Sequence, residues 1–100
     1  MAVYMVNFRI ESDKTYGERY KTFTDQLKAS SAWWDENTSF VVVQTTEEID
    51  DFCYRIYYKS DFDSSKDKFV VLDAYAQDGR ALGQYDDRDL FKLLPFVKEM

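Results

Sequence analysis

The side chains of this chain with chemistry to offer are Arg9, Asp73, the single Cys53, the pair Trp33–Trp34, and several clusters of acids. No histidine is present, which removes the commonest general base and the commonest transition-metal ligand together. Any metal would have to be a hard ion held by carboxylates, and no cofactor or metal site is expected. Cys53 falls on an apolar helical stripe with no imidazole to activate it, so it reads as a small buried hydrophobe. Asp61, Asp63 and Asp67 lie in a polar stretch without the glycine turn and distal glutamate of an EF-hand, and are expected in a solvated loop. Glu47, Glu48, Asp50 and Asp51, and again Asp86, Asp87 and Asp89, stand where predicted helices begin. The macrodipole and capping account for acids at such positions.

The remaining candidates concern binding. Trp33 and Trp34 point to opposite sides if they lie in a strand, so at most one enters the core. The other is free to stack on a base or anchor a partner. Arg9 and Asp73 are expected on neighbouring antiparallel strands, facing the same open side, as an ion pair that lets two charges sit inside an interface, the alternative being a phosphate-gripping Arg9 tuned by the carboxylate. Asn7, two residues before Arg9, and Tyr75, two residues after Asp73, extend that surface. Lys14, Arg19, Lys21 and Lys28 are interleaved with acids and make no basic stripe.

These residues need elements to position them. Ala2–Phe8 is an unbroken β-prone run, read as a strand buried on both faces. Thr15 and Glu18 have capping-box spacing ahead of an amphipathic repeat at Tyr16, Tyr20, Phe23 and Leu27, ending near Ser30–Ser31. Ala32–Asp35 and Ser39–Gln44 read as two strands joined by a turn at Glu36–Asn37–Thr38. Thr45 and Glu48 repeat the capping spacing before a stripe of Ile49, Phe52, Cys53 and Ile56. Ser60–Asp67 is the longest polar loop and Phe69–Ala76 a clear strand. After the breaks at Asp78–Gly79 and Gly83, a short helix at Asp87 or Asp89 carries Leu90, Phe91, Leu93 and Leu94 as far as Pro95.

Strand, helix, strand, strand, helix, strand predicts an α+β domain of the ferredoxin-like kind, βαββαβ. It implies a four-stranded antiparallel sheet with two helices on one face. Residues 1–76 form its core and 77–100 a C-terminal extension, within one domain of 100 residues. The other sheet face stays substantially apolar, which predicts a cover. A second copy is the expected cover, the extension the alternative. An extension of this kind would add an edge strand or dock a helix on the partner subunit.

Composition narrows the partners. A net charge of −6 and a pI near 4.5 disfavour broad attraction to nucleic acid or anionic lipid. No apolar run approaches a membrane span, and the opening MAVYMVNF lacks a signal-like basic region. One cysteine excludes an intrachain disulfide and fits a reducing compartment, so a cytoplasmic location is expected.

The opening MAVYMVNFRI, the pair Trp33–Trp34, the SFVVVQT strand running into a Thr-Glu-Glu-Ile helix start, and the FVVLDAYA strand together carry a resemblance. The chain resembles the small SinR-like proteins, which are similar to the ferredoxin-like nuclease of CRISPR adaptation and to virulence-associated toxin nucleases. The resemblance implies a homodimer packed through the open sheet face. It also implies a metal-binding aspartate at the end of strand one, a position filled here by Arg9. A guanidinium cannot ligate a cation, and two of them at a dimer axis would repel one.

The expectation is therefore a non-catalytic dimeric binding protein in a defence, mobile-element or toxin–antitoxin setting. Two alternatives stand beside it. One is a metal-dependent endoribonuclease or endodeoxyribonuclease with relocated carboxylates, Asp73 foremost. The other is an acidic inhibitor or antitoxin that mimics nucleic acid.

Overall fold

The computed structural model describes residues 1–100. Alternation in the sequence decides the first strand, β1 (Ala2–Arg9): Tyr4, Val6 and Phe8 are buried, while Asn7 and Arg9 are exposed. Only one side of it is packed against helices, which corrects the expectation of a strand buried on both faces. Helix α1 (Tyr16–Lys28) buries Phe23 and Leu27, and α2 (Ile49–Tyr58) buries Ile49, Phe52, Cys53 and Ile56 as its stripe predicts. Between them run β2 (Ala32–Asn37) and β3 (Phe40–Thr45), and after α2 comes β4 (Lys68–Asp73), which stops short of Ala76. The residues beyond form β5 (Gly79–Leu82), the short α3 (Leu90–Leu93) and β6 (Val97–Glu99).

All strands join one six-stranded mixed sheet in the order β2-β3-β1-β4-β5-β6. The pairings are antiparallel except β5 with β6, which is parallel. An α+β architecture is therefore present, but the sheet is neither four-stranded nor wholly antiparallel. The extension adds its strands to its own sheet. Register puts Tyr4, Val6 and Phe8 opposite Val43 and Val41 on one side, and opposite Val71 and Phe69 on the other. This first face meets the α1 and α2 stripes in a core rich in aromatic rings: Phe8, Phe23, Phe62 and Phe69 form a chain of contacts 5.0–6.0 Å between centroids.

The second face is half covered. A parallel pair needs a crossover, and the β5-to-β6 connection lies over β4 and β5. Beneath it Ala81 and Val97 are buried, and the Tyr85 hydroxyl donates to the Phe69 carbonyl at 2.6 Å. Two glycines allow this close packing. A Cβ on Gly79 would stand 2.9 Å from Leu72 Cδ2 and 3.1 Å from Val97 Cγ2. Gly83 has φ +121°, and a Cβ there would meet the Asp67 carbonyl at 2.4 Å.

Neither predicted capping box closes. Thr15 and Glu48 are the residues at the helix starts, with no side-chain cap bond from either. The Thr15 hydroxyl is taken by Arg19 Nε and Asp13, and the Thr45 hydroxyl by Glu47.

Candidate functional site: the bare half of the sheet and its free edge

Over β2, β3 and β1 nothing covers the second face. Val3 and Met5 on β1, Phe40 and Val42 on β3, and Trp34 on β2 share that side by register. Trp34 stands edge-on to Phe40 with centroids 6.3 Å apart, and its indole N–H donates to Glu36 at 3.0 Å. Trp33, opposite Val43, points to the helix side of the same strand. A shallow groove of about 180 Å³ opens between Val3, Val42 and the two tryptophans. Neither ring reaches the core: Trp33 is 48% exposed and Trp34 42%. Every residue of β2 is exposed, because β2 is the outer strand of the sheet.

Arg9 and Asp73 are not brought together. Along the β1–β4 ladder Arg9 lies opposite Lys68, whereas Asp73 lies opposite Tyr4 at the far end. The two also fall on different faces, Arg9 on the second and Asp73 on the first. Arg9 makes only a long, exposed contact to Glu11 at 3.9 Å. Asn7 is exposed on the bare face between Phe40 and Val70. Tyr75 lies past the end of β4 with its ring in solvent, its amide donating to Asp73 Oδ1 at 2.8 Å. The expected Arg9–Asp73 interface pair does not form, because register between distant strands is set by the whole ladder, and that ladder places the two residues at opposite ends of the β1–β4 pairing.

Asp73 instead borders a cleft of about 300 Å³ with Tyr4, Asp50, Asp78 and Arg80. Arg80 is gripped there by Asp50 at 2.7 Å and Asp78 at 2.6 Å. Burial, with Asp73 nearby, pushes the Tyr4 phenol up to about 12, and its hydroxyl donates to the Glu47 carbonyl. No three carboxylate or thiol side chains converge in an arrangement able to hold a metal ion.

The opposite end of β1 holds a second charged cluster. Asp67, expected in a solvated loop, is fully buried. It accepts from Arg19 Nη1, from the Glu11 amide at 2.9 Å and from the Asp63 amide at 2.9 Å. Arg19 spends its other donors on the Thr15 hydroxyl, the Glu11 carbonyl and Asp13. Hydrogen bonds from Lys66 and Arg19 hold the Asp13 carboxyl well below the usual carboxylate range. Burial acts against the Arg19 charge, but its bonds to Asp67 and Asp13 outweigh it and raise the pKa. A sequence signal for this residue existed: position 19 lies four before Phe23 and eight before Leu27, on the buried stripe of α1.

Cys53 is buried without a charged activator in contact, and burial pushes its thiol up to about 12. It stays protonated, as expected of a core residue. Arg55 closes the remaining cluster. It binds Glu47 at 2.8 Å, the Ser30 hydroxyl at 3.0 Å and the Gln26 carbonyl, tying α2 to the end of α1. Comparison with protein-family models, curated proteins and solved structures finds no match to this chain.

Proposed function

We propose that this chain is a non-catalytic binding protein that works as a homodimer, presenting the bare half of its sheet to a protein partner. The observation that carries this reading is the apolar second face over β2, β3 and β1, bordered by two half-exposed tryptophans at a free edge. Apolar, aromatic surface of this kind marks interaction sites. The groups able to do covalent or proton-transfer chemistry support the same view. Cys53 is a protonated core thiol, while Asp67, Asp13 and Glu47 are each held by an arginine.

The run β1-α1-β2-β3-α2-β4, with spatial order β2-β3-β1-β4, supports a ferredoxin-like core at residues 2–73, to which β5 and β6 are appended. With that core, the resemblance to SinR-like proteins favours a defence, mobile-element or toxin–antitoxin setting in the cytoplasm. Tagged protein, purified from native cells with and without nuclease treatment, tests the reading. The expected result is a stoichiometric protein partner that survives nuclease and is lost on Met5→Asp, in a chain that light scattering shows as a dimer. Co-purifying nucleic acid with Mg²⁺-dependent cleavage abolished by Asp73→Ala would overturn it in favour of a nuclease. A partner released by salt and by substitution of surface acids would favour an acidic inhibitor instead.

A further inference from the structure

The two edges of the sheet are built differently. β6 is three residues long, two of them Lys98 and Glu99, the kind of short charged strand that discourages pairing. β2 is six residues long, contains neither lysine nor proline, carries Trp33 and Trp34, and is exposed throughout. Its ladder with β3 is regular over Ala32–Trp34 and shifts between Trp34 and Asn37. Its charge is asymmetric as well: Asp35 and Glu36 occupy the second half, while Ser30, Ser31 and Ala32 lead into the first.

From this we infer that β2 pairs antiparallel with β2 of a second copy, about a two-fold axis through Trp33. The inference rests on the homodimeric reading above and specifies how the dimer forms. Helices of both copies must lie on one side of the joined sheet, so only registers that cross a residue with itself are allowed. Crossing at Asp35 sets two carboxylates against each other. Crossing at Trp34 forces the irregular stretch after it into the new ladder. Crossing at Trp33 sets Ala32–Trp34 of one copy against Trp34–Ala32 of the other. The Trp33 rings then meet across the axis on the helix side, and each Trp34 lies over the small Ala32 of its partner. The regular ladder ends at Trp34 in each copy, so Asp35 and Glu36 stay outside it and no like charges stand opposite one another. The two bare half-faces become neighbours in one continuous apolar surface.

Cysteine cross-linking under mild oxidation tests the register, since native Cys53 is buried and inert. Trp33→Cys should shift to a two-chain species on non-reducing gels, and Met5→Cys, in the middle of the bare face, should stay single. Trp33→Lys, which opposes two cations on the axis, should give a monomer by light scattering with an unchanged circular dichroism spectrum. Cross-linking of Met5→Cys but not Trp33→Cys would overturn the edge in favour of packing through the face. A Trp33→Lys chain that remains dimeric would also overturn it, leaving the homodimer standing. A monomeric native chain would overturn both.

Discussion

Two arginines in this molecule are each gripped by two aspartates, and the difference between them is burial. Arg19 is 4% exposed and its partner Asp67 fully buried, with the Glu11 and Asp63 amides completing the carboxylate. Arg80 is held as closely, but the side chains of its partners Asp50 and Asp78 are 64% and 39% exposed. The first cluster locks α1, the end of β1 and the loop before β4 into one unit. The second only links the first turn of α2 to β5 and the turn before it. Equal geometry thus makes a structural keystone at one end of the sheet and a tether at the other, because desolvation makes an unpaired charge costly only where water cannot replace the partner.

The largest break in that comparison is Asp67→Ala. It removes the buried one of Arg19's two carboxylates, leaves the Glu11 and Asp63 amides without their acceptor, and should cost about 3–5 kcal/mol in urea unfolding. Thiol labelling of Cys53 at pH 8 should follow it: much faster in Asp67→Ala than in the native chain, and changed only a few-fold at most in Asp50→Asn. Next comes acid. Asp13, Asp63, Glu47 and Glu99 all have folded pKa values below their ordinary 3.8 or 4.5. Their contribution is fully present above those ordinary values and is lost as pH falls through the folded ones. Stability measured by thermal melts should therefore drop below about pH 4.5, and Asp13→Asn should flatten that acid limb. The smallest effect is expected at the exposed tether. Asp50→Asn should change stability by at most about 1 kcal/mol, and a larger loss would show the two clusters to be equivalent.

Much of the fold was legible. The stripes Tyr16–Leu27 and Ile49–Ile56 and the strands read at Ala2–Phe8, Ser39–Gln44 and Phe69–Ala76, which overlap β1, β3 and β4, follow from local pattern, which is a property of neighbouring residues. The register was not legible, and with it went the supposed meeting of Arg9 and Asp73. A shift along a ladder changes which side chains meet without changing the sequence pattern that made each strand. The burial of Asp67 escaped for a related reason. Its loop reads as polar, and only the arrival of Arg19 from a helix 48 positions away makes an interior carboxylate tolerable.

β5 and β6 also escaped, being four and three residues long and bounded by glycine, proline and acids, so neither carries a periodic signal of its own. Their strand character comes from pairing with β4 and with each other.

The sequence by itself determined an α+β chain with a helix-facing core, an acidic exterior, an inert cysteine, and two tryptophans that could not both be buried. The tertiary structure alone decided that the chain covers half of its second sheet face with its own C-terminal segment and leaves the other half bare. Which face is covered, and by what, depends on contacts between residues far apart in the chain, and no local pattern encodes those.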